Sequence, residues 1–310
     1  MDGQAIVDRS LQVALITGRL MISAEPRSKT KRIRTKQLCS RMVCALLAVL
    51  ERCLVPLPLP PNSAARTVKV GGAGGDGDGS AAGLALPAMS LLVDVVSTNN
   101  LKLSARELSI ALGAITLSSD AHQRWQSGGR RVTSTATAVG SATDEGDALA
   151  WSGQWRVRMW SLECRLVHTL LRGFPGLLMQ HNVHAVAACV RRLLKRLVDL
   201  VSVPATAPAA LASGTVEHMS RLLQAVGATS KEALRKYAPY MLADFVSLAS
   251  CARMPATAKR TLEEGAFSIM DACGEHEFAL LHVSLDHAGR GLFKQFHDTY
   301  VKFHKFTGRT

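Results

Sequence analysis

Apolar residues recur at helical spacing along most of this chain. Leu38, Met42, Ala45, Leu46, Val49 and Leu50 share one predicted helix face, and Pro56 and Pro58 stop that helix just after Val55. Residues 86–97 and 104–117 predict a short helical pair, with Ser104 and Glu107 at capping-box spacing. A helix is predicted over 151–172, where Trp155, Leu162, Leu166 and Leu170 are apolar. Phe174, Pro175 and Gly176 mark a turn. The next helix is predicted to reach about Val203, on a stripe of Val183, Val186, Val190, Leu194, Leu197 and Val201. Further helices are predicted at 213–226, 230–251, 256–273, 276–285 and 288–306.

Two stretches break the pattern. Residues 56–83 begin PLPLPPNS and run into GGAGGDGDGSAAG; prolines favour an extended backbone and glycines a flexible one. Residues 127–148 are rich in Gly, Ser, Thr and Ala. Both read as long flexible linkers, with a minor break at 202–213 around Pro204 and Pro208. The expected organisation is helices over 1–55, a linker over 56–83, a short pair over 84–126, a second linker over 127–148, and a helical domain over 149–310. Short turns between long helices favour antiparallel neighbours. No strict repeat period is present. The expected fold is all-α, an irregular, α-solenoid-like stack of antiparallel helical hairpins.

Composition agrees. Of 310 residues, 47% are apolar and only 5% aromatic, which favours helices over a β-sandwich or barrel. The longest strongly apolar run, Met42 to Leu50, is far shorter than the ~20 residues of a membrane span. No secretory leader pattern is visible, so a soluble, intracellular chain is expected. Seven cysteines without a CxxC pair read as reduced core thiols. The net charge of +13 points to a polyanionic partner or surface without saying which.

Catalytic and ligand motifs give little. The glycine run at 71–79 has no P-loop lysine and carries Asp76 and Asp78 where phosphate would sit. His181 and His184 form half a zinc site at most, and Cys273, His276, His282 and His287 lack a converging pattern. No GxSxG, HExxH or kinase set occurs. Asp271, Glu275 and Glu277 read as helix-terminal charges. No enzyme activity, cofactor or small-molecule substrate is expected.

Three basic segments remain. RSKTKRIRTK at 27–36 contains Lys31, Arg32 and Arg34, a candidate nuclear-import signal that would equally hold phosphate or begin a solvated helix. Arg191, Arg192, Lys195 and Arg196 lie off their helix's apolar stripe, with Lys195 one turn before Asp199. At the end, Leu292, Phe293, Phe296, Tyr300 and Phe303 form an aromatic stripe, with Arg290, Lys294, Lys302 and Lys305 mainly off it. Such a face suits RNA, through phosphate contacts and base stacking. A closing helix that packs its aromatics inward accounts for the same pattern, and is the simpler reading.

The run LDHAGRGLFKQFHDTYVKFHKF at 285–306 resembles the terminal signature of the Npa2-type nucleolar pre-ribosomal-RNA-processing proteins, also called unhealthy ribosome biogenesis protein 2. The matching residues are Leu285, Asp286, Gly289, Arg290, Leu292, Phe293, Lys294, Tyr300, Lys305 and Phe306. KEALRKYAPYMLADFVSL (231–248) and LEEGAFSIMDACGEHEFALLHVSLD (262–286) resemble the family's preceding helices. A weaker likeness reaches back to about 155, and residues 1–150 carry no match. The resemblance implies a non-catalytic, all-helical nucleolar scaffold in the nucleus. It would work in pre-rRNA processing and large-subunit assembly, beside an Npa1-type partner and RNA helicases. It implies contact with pre-ribosomal particle proteins, with pre-rRNA as a further candidate partner and no membrane. A protein-interaction scaffold that never touches RNA is the alternative. Family members are usually longer, with this module at their C-terminus, so a fragment or short form is expected. Asp286 would serve as an N-cap.

Overall fold

The computed structural model describes residues 41–50, 79–97, 103–116, 118, 142–201, 209–251 and 254–305. The chain divides into two compact units, Met1–Lys102 with Leu117–Ala136, and Leu103–Thr116 with Thr137–Thr310. No strand occurs among the described residues, so the fold is all-α. None of the described helices is long and apolar enough to cross a membrane.

In the first unit, α1 covers 41–50 and α2 covers Gly79–Ser97. The buried stripe of α1 is Val43, Leu46, Leu47 and Leu50, one position round from the predicted face; Ala45 is exposed. The helix is apolar nearly all round, and the stripe with the larger side chains is the one that is buried. Most of α2 is buried from Ala85 to Val96. It begins inside the expected 56–83 linker. Ala81 and Ala82, the best helix formers, carry the helix back toward Gly79 once the apolar turns have nucleated.

The second unit opens with α3 (105–116), then α4 (Ala142–Gly173), α5 (Pro175–His181) and α6 (Val183–Val201). The capping box before α3 forms as predicted: Ser104 N donates to Glu107 Oε2 at 2.7 Å, and Glu107 N donates to Ser104 Oγ at 3.3 Å. Thus the helical pair expected within 84–126 is divided, and α3 joins the C-terminal unit. The alanine-rich start of α4 reaches back to Ala142, into the expected 127–148 linker. The single helix expected after Pro175 is two, because the chain breaks at buried Asn182, whose Nδ2 donates to Ala105 O (3.1 Å).

There follow α7 (Ala209–Thr229), α8 (Lys231–Leu234), α9 (Ala238–Cys251), α10 (Ala256–Met270), α11 (Glu275–Ser284) and α12 (His287–Tyr300), with a π-helical turn at Val301–Lys305. The helix predicted over 230–251 is interrupted at 235–237. Ser230 caps α8, and Pro239 lacks the N–H an unbroken helix would need, so it falls in the first turn of α9.

Pairs of contacts reveal the stacking order. Trp160 Nε1 donates to Leu193 O at 3.0 Å, and Glu163 pairs with Arg196, so α4 and α6 are the two arms of a hairpin that turns through the short α5. Ala105 with Asn182, Leu112 with Cys189 and Thr116 with Arg192 give α3 and α6 the same sense. In the most extensive packing of the unit, Ser220 bonds Thr261 O and Gly227 meets Ser268, so α7 and α10 are also parallel. The chain must return between α7 and α10, as it does through α9. The result is the layered stack expected of helical hairpins, with alternate helices side by side.

Two glycines permit the α7–α10 seam. A Cβ on Gly227 would lie 2.3 Å from the Ser268 carbonyl oxygen, and one on Gly265 would lie 2.8 Å from the Ser220 backbone. Both positions are buried, and the opposing atoms belong to backbone that cannot swing aside. Elsewhere in a helix alanine is the better residue by ~1 kcal/mol. Here Gly227→Ala should destabilise the chain by ~1–3 kcal/mol, the range for overpacked cores, measured as a lowered denaturation midpoint. An unchanged or raised midpoint would show that the seam is slack.

Candidate functional site

The candidate basic residues take several different roles. Lys31, Arg32 and Arg34 lie outside the described residues. On α6, Arg191 Nε pairs with Asp244 Oδ2 of α9 (2.5 Å), and its guanidinium lies 5.6 Å from the Tyr240 ring centre. Lys195 is exposed but sits 3.6 Å from the same carboxylate, in place of the partner Asp199 suggested by spacing. Arg192 donates to Thr116 O (3.1 Å). Arg196 is not a surface contact at all: it is buried, with Nη1 2.5 Å from Glu163 Oε2. The four form a bracket tying α6 to α3, α4 and α9. An unpaired buried charge is far costlier than the pair is beneficial. Arg196→Met should therefore cost ~3–5 kcal/mol by leaving Glu163 alone, and the Arg196→Met, Glu163→Leu double variant should recover most of it in urea unfolding. A double variant no more stable than the single one would deny the pair this role.

The C-terminal signature is a corner between two helices. Leu285 is buried, and Asp286 Oδ1 accepts from Gly289 N at 2.7 Å, capping α12 as expected. A Cβ on Gly289 would lie 2.7 Å from that same oxygen. Arg290 Nε donates to His282 O and Leu285 O, both at 3.0 Å. It thereby satisfies carbonyls that the end of α11 leaves open. Arg290 is thus a clasp first, although its side chain remains exposed.

The aromatic stripe turns inward, as the simpler reading had it. Phe293, Phe296 and Tyr300 are buried. Phe296 lies 4.9 Å from Phe245 of α9 and 4.9 Å from Phe267 of α10, centre to centre. Phe303 leaves the stripe and is exposed; His304 takes the inward place, 5.5 Å from Phe267 and Tyr300. Tyr300 donates to Asp271 Oδ1 at 2.8 Å, and His304 Nε2 and Lys231 Nζ lie 3.4 Å and 3.6 Å from Asp271 Oδ2. Burial, then the bond to Asp271, hold the tyrosine hydroxyl protonated well above its ordinary range.

What stays free is a shorter list. Lys294 and Lys305 are exposed and make no ion pair among the described residues. Lys302 is exposed over the Phe303 ring, 5.0 Å from its centre. Beside them an open groove of about 540 Å³ runs between α11 and α12. Leu280 and Val283 stand exposed on α11, outside the groove's lining. Sequence reasoning passed over both, although a ten-residue helix carrying Phe278, Ala279, Leu280, Leu281 and Val283 has apolar residues on more than one face. The histidines weighed for metal binding, His181, His184, His276, His282 and His287, are all exposed, and His282 and His287 both line this groove. No group of three or more His, Cys, Asp or Glu residues forms a metal site among the described residues. The thiols of Cys189 and Cys273 are pushed up to about 12 and that of Cys164 is also raised, chiefly by burial.

A layered helical stack whose last hairpin is pinned by its own signature residues is a helical-repeat-like protein. The Urb2/Npa2 family model matches residues 87–309, and the chain belongs to that family. The match reaches well before position 155, into residues read as carrying no likeness. The intervening α3 is an integral part of the same packed unit, and it contributes apolar positions instead of a motif. Membership implies a role in ribosome biogenesis. No solved structure matches the chain.

One carboxylate at this end links the stack to pH. Glu277 accepts from Gly274 N (2.8 Å) and from Arg235 Nε (2.8 Å). Partial burial pushes its carboxyl up, but these bonds outweigh it and hold it below 4.5. The stabilisation is therefore complete above pH 4.5 and fades as pH falls through the lower folded value. Protection of α11 amides from hydrogen exchange should drop in that window. Glu277→Gln should remove this pH dependence, and an unaltered acid profile in the variant would assign it elsewhere.

Proposed function

We propose that this protein is a non-catalytic nucleolar scaffold in pre-rRNA processing and assembly of the large ribosomal subunit. The observation that carries the reading is the family match across the layered helical unit. A stack of helices offers long faces to partners without needing a buried reaction centre. The Npa1-type protein and RNA helicases of early particles are the proposed neighbours, with the nucleus and nucleolus as the setting. Pre-rRNA contact falls to the exposed lysines Lys302 and Lys305.

A second reading, a protein-interaction scaffold without direct RNA contact, gains from one observation. Arg191, Arg192 and Arg196 make hydrogen bonds inside the fold, and Arg290 commits its Nε there. Pull-down of the tagged full chain should recover large-subunit precursor RNA and proteins in preference to small-subunit precursors. Equal recovery of both, or of neither, would refute the assembly role. Cross-linking to RNA should fall in the Lys302→Glu, Lys305→Glu variant and weaken steeply with salt. Particle recovery with RNA cross-linking unmoved by either change would favour the protein-only scaffold.

A further inference from the structure

Helices α11 and α12 both pack on α9 and meet each other through Phe278, Phe293 and His297, with an open groove between them. Its floor is apolar: Phe293 is buried and Phe278 half-buried, with ring centres 6.1 Å apart. Its walls carry His282 on α11 and Arg290 and Lys294 on α12, and no carboxylate lines it. Beyond the α11 wall, Leu280 and Val283 are 42% and 76% exposed. We propose that this groove is the docking site for an acidic amphipathic helix of a protein partner. The inference stands on the groove itself and does not depend on the ribosome-assembly reading.

Charge and shape both favour that occupant. Lys294 makes no ion pair or hydrogen bond among the described residues, and Arg290 sits one turn before it on the same wall. Carboxylates along the rim of a bound helix would meet both cations, while a basic segment would be repelled. The floor of Phe278 and Phe293, with Ala279 on the α11 wall, offers apolar surface to side chains spaced at i, i+3, i+4 and i+7. The lining extends along α12 from His287 to His297, or ~15 Å at 1.5 Å per residue, which suits about three turns of a bound helix. RNA fits less well: Phe293 is buried and Phe278 half-buried, so neither ring is an open stacking face.

Gly291 adds to the open space on the α12 wall. It is exposed, lies inside a helix, and lines the groove. A Cβ there would meet nothing within 4 Å, in contrast to Gly227, Gly265 and Gly289. Glycine weakens a helix, and at this position no internal contact requires it. What it leaves is space on the groove wall for a close-fitting neighbour.

The test uses the full chain and a fluorescein-labelled helical peptide of about twelve residues, with Leu at i, i+3, i+4 and i+7 and Glu elsewhere. Its Lys-for-Glu counterpart and a labelled oligouridylate are the other arms. The acidic peptide should bind in preference to the basic one. Lys294→Glu and Gly291→Leu should each weaken it at least tenfold. Gly291→Leu should also melt no lower than the parent, which separates a blocked groove from a damaged fold. The proposal is overturned if the two peptides bind alike, if neither binds, or if acidic-peptide binding survives Gly291→Leu. Oligouridylate binding that is lost in Gly291→Leu, without acidic-peptide binding, would assign the groove to RNA instead.

Discussion

Backbone-to-backbone approach between α7 and α10 is the contact on which the C-terminal unit depends. These helices are joined through α8, α9 and their turns, yet they pack more extensively than any other pair in the unit. Gly227 and Gly265 remove the side chains that would hold them apart, and Ser220 spans the seam to Thr261 O. With that spacing fixed, α9 is held on α10 at a distance that lets Phe245 reach Phe296, and the terminal helix closes over both. A wider seam would separate Phe267 from Phe296 and Tyr300, whose rings lie 4.9 Å and 5.7 Å from it. The aromatic cluster is therefore downstream of two residues that have no side chain.

The excess of positive charge serves two purposes that its total conceals. Part of it is structural: Arg196 inside the stack, Arg191 and Arg192 bracing α6, Arg290 closing a helix end, Arg235 holding Glu277. Arginine suits such work because its planar fork can serve several acceptors in fixed directions. The exposed remainder at the C-terminal end is lysine: Lys294, Lys302 and Lys305. A lysine ammonium is a mobile, well-hydrated point charge, better fitted to a partner than to an internal bracket.

Local features were legible in the sequence, and long-range ones were not. The capping box at Ser104 and Glu107 and the cap at Asp286 need only neighbours three residues away, and both form as read. The inward aromatic stripe of α12 followed from helical spacing alone. Helix limits were less secure: cooperative extension carried α2 and α4 into stretches whose composition resembled linkers. Arg196 was misjudged because its partner, Glu163, is 33 residues away on another helix, and an off-stripe position looks solvated until that helix arrives. In the family signature only the Asp286 cap was legible from the letters. The geometry explains the rest: a buried leucine, a glycine pressed against the cap, and an arginine holding the previous helix end.

That last residue has a thermodynamic consequence. Because Arg290 bonds both His282 O and Leu285 O, the angle between α11 and α12 is set before any partner arrives. A cleft held open in this way loses little conformational entropy when filled. The ordering cost of association then falls almost wholly on the incoming segment. Affinity would accordingly follow how readily that segment becomes helical by itself, so a partner's own sequence, well away from the contact, could tune how long the two remain together.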